Sequence, residues 1–355
     1  MKLTLIHDHS LPTGTLGLAI TADAAMAYAT CVDGALYAVE TASGKVEAFE
    51  GMHSSFASGG VLLPDGRTII TGGYDGALLW HDVVTRRCWR RLQAHQFWSW
   101  QLALSPDGGR VATTTGQYLP GNWKYEPAVE REPSVKVFDT LSGDLIAAFG
   151  HTPPVQSCAF SPEGRYLAAA NLMGEVRVWD LQNSTTGEPL VKWTSPDFTS
   201  WGTIKTHHYC GGIYSLAFSP DGASLLGCGM GPMTDPMAGN GKMTWQRWNW
   251  QTGERVDQIK EDQRGSGLME SVVWHPSGGH FFMAGRQAQG TWNAALFNAV
   301  DGNLLHSMDT KNRLTQARFT ADGRRLVLTA SNGQPAPKQG VWPPWGRMQV
   351  YEVEA

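Results

Sequence analysis

A short apolar run closed by a tight-turn tetrapeptide occurs seven times along these 355 residues, and that period rules out most arrangements of independent elements. The copies read AITADA, VLLPDG, ALSPDG, AFSPEG, AFSPDG, VWHPSG and RFTADG. Their turn positions are Asp23, Asp65, Asp107, Glu163, Asp221, Ser277 and Asp322, at intervals of 42, 42, 56, 58, 56 and 45. Pro-Asp-Gly between alternating apolar runs is hairpin chemistry, because proline presets one turn dihedral and glycine accepts positive φ. Each copy therefore opens with a pair of strands.

A second marker follows each turn: an alternating strand ending in a large side chain plus an acid or amide. It appears as Val39-Glu40, His81-Asp82, Phe138-Asp139, Trp179-Asp180, Trp248-Asn249, Phe297-Asn298 and Tyr351-Glu352. A further apolar stretch comes after it, as in KVEAFEG, CWRRLQA and DLIAAFG, which makes four strands per unit. Seven units of four antiparallel strands, with no helical periodicity of any length, predict an all-β, seven-bladed β-propeller. Such a ring hides nearly all its sheet edges. The expected blades are 16–55, 56–96, 97–154, 155–210, 211–266, 267–312 and 313–355 plus 1–9, forming one domain. The seventh unit has only three strands of its own, and Lys2 to His7 fits the vacant fourth place. Removing the first nine residues is expected to destabilise the fold sharply.

Composition narrows the function. With 28 basic against 32 acidic side chains, a net charge of −4 and no block of like charge, the chain does not read as a nucleic-acid binder. No 18-residue apolar run and no signal-peptide pattern occur, so the expectation is a cytoplasmic protein without membrane contact. Five cysteines without CxxC pairing indicate free thiols and no zinc knuckle.

Trp179-Asp180, the SPDG-type turns and a histidine ahead of the first strand resemble the WD40-repeat β-propellers, over essentially the whole chain. His53, His95 and His151 each precede the turn acid by 12 residues, and Gly150-His151 matches the family's Gly-His dipeptide. The resemblance implies a buried network joining that histidine to a strand hydroxyl, a turn aspartate and the tryptophan. Here it looks eroded: the second unit offers His53, Thr71 and Asp75 but has His81 in the tryptophan's place. The chain is similar to a divergent member.

In an up-and-down blade with strands a to d, the b–c loops and d–a links share one end of the ring. The insertions fall there: 115–133, 195–211, 230–242, 286–292 and 332–345. They carry Tyr118, Trp123, Trp201, Met233, Arg286, Trp292, Trp342 and Trp345, and Trp98 and Trp100 stand at a d–a link of the same end. Aromatic and methionine-rich loops on a rigid scaffold suggest a recognition surface; the alternative is that these side chains pack on one another.

Chemistry is harder to find. Glu270 is the one carboxylate near the starts of the inner strands, and one acid cannot make a calcium site. His207-His208-Tyr209-Cys210 and His7-Asp8-His9 lack zinc spacing, and no GxSxG elbow or P-loop appears. The reading is a noncatalytic protein- or peptide-binding scaffold, monomeric by itself, with no catalytic residue, cofactor or metal. A hydrolase-like propeller enzyme using His208 or Asp235, and a carbohydrate or small-ligand binder, are the alternatives.

Overall fold

The computed structural model describes residues 1–119, 126–127, 129–198, 212–231, 244–263, 266–289, 291–332 and 336–354. Each turn tetrapeptide joins two antiparallel strands. At Asp65 the carboxylate accepts from the backbone N–H of Arg67 at 2.8 Å and of Thr68 at 3.0 Å, and Gly66 supplies φ +66°. Blade 1 has alanine in the glycine's place, and Ala24 takes the left-handed conformation itself at φ 52°.

Strands a to d of blade 1 are Thr15–Ile20, Met26–Cys31, Leu36–Glu40 and Val46–Ala48. Blade 2 is Ala57–Leu62, Thr68–Gly73, Ala77–Asp82 and Arg87–Gln93. Blade 3 is Leu102–Leu104, Arg110–Thr114, Val135–Asp139 and Leu145–Phe149. Blade 4 is Val155–Phe160, Tyr166–Asn171, Glu175–Asp180 and Val191–Thr194. Blade 5 is Gly212–Phe218, Ser224–Met230, Trp245–Asn249 and Glu254–Gln258. Blade 6 is Ser266–Trp274, His280–Gln289, Ala294–Asn298 and Leu304–Met308. Blade 7 takes Leu314–Phe319, Arg325–Ser331 and Gly346–Glu354 from the end of the chain and Lys2–Leu11 from its beginning.

The a strands of successive blades touch all the way round, blade 7 against blade 1 included, so the seven sheets close into a ring about a central tunnel. The closing strand runs four residues beyond the expected KLTLIH. It pairs from Lys2↔Glu354 to Leu11↔Gly346, with one irregularity between Leu5 and His7. Arg347 clamps it from the neighbouring strand through two 2.6 Å bonds to the Asp8 carboxylate. His9 Nε2 bonds the Thr41 carbonyl at 2.8 Å, which ties the seam to blade 1.

Alternating side chains pack between neighbouring blades. Trp80, Trp179, Trp245 and Trp248 are fully buried there, so much of the chain's tryptophan serves the core. One expected loop proves to be strand. Residues 286–289 continue strand b of blade 6, and Arg286 pairs with Leu268. Bulges at 266/267 and 269/271 let this ladder extend past the end of the blade.

Candidate functional site

The inner strands carry a feature that no single copy of the repeat makes visible. In six of them the pairing to strand b skips one residue, leaving Leu16, Ser58, Gln156, Tyr214, Glu270 and Thr315 as bulges. Trp100, 42 residues after Ser58, holds the same place ahead of strand a in blade 3. A bulge turns an extra side chain out of the ladder. Here it places seven such residues, of varied chemistry, at the loop end of the tunnel on one repeated backbone, with the Ser58 and Thr315 hydroxyls buried against backbone carbonyls.

Two groups stand on this ring. The first is ionic. Arg313, at the start of the inner strand of blade 7, donates to both Glu270 carboxylate oxygens, at 2.7 and 3.0 Å. The Glu270 charge raises the Arg313 pKa above the usual arginine value against the effect of burial. Glu270, the carboxylate seen at the inner strands, is thus one half of a bidentate pair, the geometry in which such pairs are strongest.

The second group is aromatic. Tyr74 stacks on Trp98 with centroids 4.5 Å apart and planes 4° from parallel, and meets Trp100 edge-on at 5.3 Å. Trp98 also stacks on Phe97 at 5.0 Å, and Phe56 lies 5.6 Å from Tyr74. Trp342, from the b–c loop of blade 7, reaches past blade 1 to meet Phe56 edge-on at 6.3 Å. The backbone holds the set in place: Tyr74 N–H bonds the Phe56 carbonyl at 2.8 Å, and Trp100 Nε1 donates to the Gly116 carbonyl at 3.0 Å. Each of these six rings is half-buried, neither sunk in the core nor free in solvent. Trp345 is 41% exposed on the same loop as Trp342.

The residues singled out in the sequence divide accordingly. Trp98, Trp100 and Trp342 come together, while Arg286 is exposed on the extended strand of blade 6. Trp292 is corrected: only 3% exposed, it packs against Phe297 in the core of blades 5 and 6 and is not available to a partner. Its position directly ahead of strand c turns it inward. Trp123, Trp201 and Met233 lie outside the described residues, as do His208 and Asp235, and Tyr118 is described only through its backbone in a two-residue strand. Met230 is buried against Leu268 and Tyr214. Phe56 and Tyr74 were missed. The signal for Phe56 was present, since Phe56 and Trp98 are 42 residues apart and hold one position of the repeat.

His7-Asp8-His9 serves the seam, with Asp8 held by Arg347. Among the described residues, no three His, Cys, Asp or Glu side chains converge as a metal site would require, and no helix is long and apolar enough to cross a membrane. Cys31, Cys88, Cys158 and Cys228 are free thiols. Burial drives the Cys158 thiol up to about 12, away from the nucleophilic thiolate form.

A family model described as "WD domain, G-beta repeat" matches residues 143–180 and 199–231, the first of which contains both Gly150-His151 and Trp179-Asp180. Two segments of the chain thus match WD40 repeats, and they lie within a seven-bladed β-propeller. It is 28% identical over 193 residues to apoptotic protease-activating factor 1 of Rattus norvegicus, covering 54% of this chain and 13% of that protein. It is 28% identical over 120 residues to WD repeat-containing protein SL1-17 of Schistosoma mansoni, covering 34% of this chain and 35% of that protein. Against the target of rapamycin complex subunit wat1 of Schizosaccharomyces pombe, the figures are 26% over 117 residues, 32% of each. The chain thus matches about a third or less of each relative's length. WD40 propellers are typically protein-interaction scaffolds.

Proposed function

We propose that this propeller is a noncatalytic scaffold that holds a protein or peptide partner at the loop end of its tunnel. The reading rests on one observation: a continuous run of half-buried rings, Trp342, Phe56, Tyr74, Trp98 and Trp100, crosses from blade 7 to blade 3. Aromatic anchors supply much of the energy of protein interfaces, because a rigid ring buries large area at little entropic cost. Rings fixed by their own stacking and backbone bonds are ordered before a partner arrives, which reduces the cost of binding. Trp345 and Arg286 stand as outer contacts, with the Glu270–Arg313 pair as the polar element beside the rings. The protein acts as a monomer in the cytoplasm on this reading.

The test compares the wild type with Trp98→Ala/Trp342→Ala, after circular dichroism and thermal unfolding have shown that both are folded. Partners captured by crosslinking in native lysate and lost with the double variant support the assignment. Equal capture by both proteins removes the rings from the interface. Quenching of tryptophan fluorescence by oligosaccharides, abolished in the same variant, would transfer the surface to the carbohydrate reading.

A further inference from the structure

The other end of the tunnel carries a different kind of site. Three residues beyond each bulge, the inner strands present Ala19, Val61, Ala103, Ala159, Ala217 and Val273, a layer of small apolar side chains contributed by blades 1 to 6. The seventh position of that layer is Arg318. All seven line one cavity of about 530 Å³, which extends along the tunnel to the a–b turns and is also walled by Phe160, Phe218 and Phe319. Small residues in six blades leave the space; the seventh blade puts a guanidinium into it.

That guanidinium has no acidic partner among the described residues. Among the described residues its one hydrogen bond is from Nη1 to the carbonyl of the preceding residue, Ala317, at 2.8 Å. Arg318 is half-buried in the tunnel wall, and that burial lowers its pKa. A guanidinium offers five N–H donors in a planar fork and stays protonated at neutral pH, so most of its donors are left facing the cavity. Charges withdrawn from water are ordinarily paired, because the lost solvation must be replaced. Arg313, at the other end of the tunnel, shows the usual outcome: it is held by Glu270.

We propose that the tunnel binds a small free oxyanion, a carboxylate or a phosphate, on the Arg318 fork from the turn end of the ring. The fork matches the two oxygens of either group, and the layer of alanines and valines leaves room for the body of the ligand. This site is independent of the aromatic rim and shares no residue with it.

Inorganic phosphate and succinate are the probes, titrated calorimetrically and by thermal unfolding at ionic strength held constant with chloride. The wild type is expected to bind one anion per chain and to unfold at a higher temperature as its concentration rises. Arg318→Gln should weaken binding about tenfold or more, while Arg324→Gln, an exposed change nearby, should leave it unaltered. Arg318→Lys keeps the charge without the fork and is expected to bind between the two; it serves as the comparison if Arg318→Gln does not fold. Absence of heat and of any shift with both anions in the wild type overturns the proposal, and so does binding that is unchanged in Arg318→Gln or, failing that variant, in Arg318→Lys.

Discussion

Blades 2 and 4 begin alike and are held together differently. Each has a buried histidine at its d–a link, His53 and His151, 98 residues apart. In blade 2, His53 Nδ1 bonds Asp75 at 2.8 Å and Nε2 bonds the Thr71 hydroxyl at 2.9 Å, which in turn meets His81 Nε2 at 3.1 Å. The expected network is therefore complete there with His81 in the tryptophan's place. Blade 4 has the tryptophan, Trp179, but Ala169 and Met173 stand where Thr71 and Asp75 would be. Neither ring nitrogen of His151 reaches a hydrogen-bond partner, and nor does Trp179 Nε1. The imidazole instead meets Trp179 edge-on at 6.2 Å, and Trp179 stacks on Phe149 at 4.9 Å. The same blade geometry thus survives with the histidine in a closed polar network or packed on aromatic rings, the blade 4 link being tied by Asn171 and Arg177 bonds to the Thr152 and Gly150 carbonyls. What the two share is register, burial and the turn; these carry the architecture, and the network is an addition to it.

The largest effect should come from breaking the closed network. Asp75 takes bonds from His53, Ser54, Ala77 and Arg91, and although burial opposes its charge, the His53 bond and charge hold its pKa well below the ordinary carboxylate value. Asp75→Ala is expected to cost about 3 kcal/mol in urea unfolding, since it strands buried partners. A loss below about 1 kcal/mol would mean that blade 2 depends on packing as much as blade 4 does. Thr71→Val removes the hydroxyl that links the two histidines and should cost about 1–2 kcal/mol.

Transplanting the network sharpens the comparison from the other side. Ala169→Thr with Met173→Asp supplies His151 with both missing partners. A double-mutant cycle should give a favourable coupling of about 1 kcal/mol; additive effects would show that the groups do not meet. The smallest change at neutral pH belongs to His151→Leu, expected within about 0.5 kcal/mol of the wild type because it removes an unpaired polar group as well as packing.

That last variant should separate from the wild type as the solution is acidified. Burial pushes the His151 pKa down to about 4, from an ordinary value of 6.5. Between those values the unfolded chain holds a proton that the folded one does not, so stability falls as pH drops from 6.5 and levels off below 4. His151→Leu should make this limb shallower, measured as urea midpoints across the range. His81, also lowered to about 4 by burial and by the His53 charge, keeps a similar slope in the variant.

The number of blades, the four strands in each and the N-terminal strand that completes the seventh were legible in the sequence because turn chemistry and alternation are local properties repeated seven times. Residues 286–289 read as loop because strand b of blade 6 continues past its expected end, and only the pairing of Arg286 with Leu268 reveals that. Trp292 resembles a loop tryptophan in every local respect; its burial depends on which way the chain enters strand c. Phe56 and Tyr74 escaped notice because neither sits in an insertion, yet ring stacking makes them the centre of the rim.

From its amino acids alone, then, this chain announced a closed ring of seven sheets, since hairpin turns and two-residue alternation depend only on neighbours in sequence. Radial position was decided in three dimensions. Whether a tryptophan fills the core or faces the tunnel mouth, that Glu270 finds Arg313, and that Arg318 finds no acid among the described residues are matters of distance between residues tens to hundreds of positions apart. Closing the ring is what sets those distances.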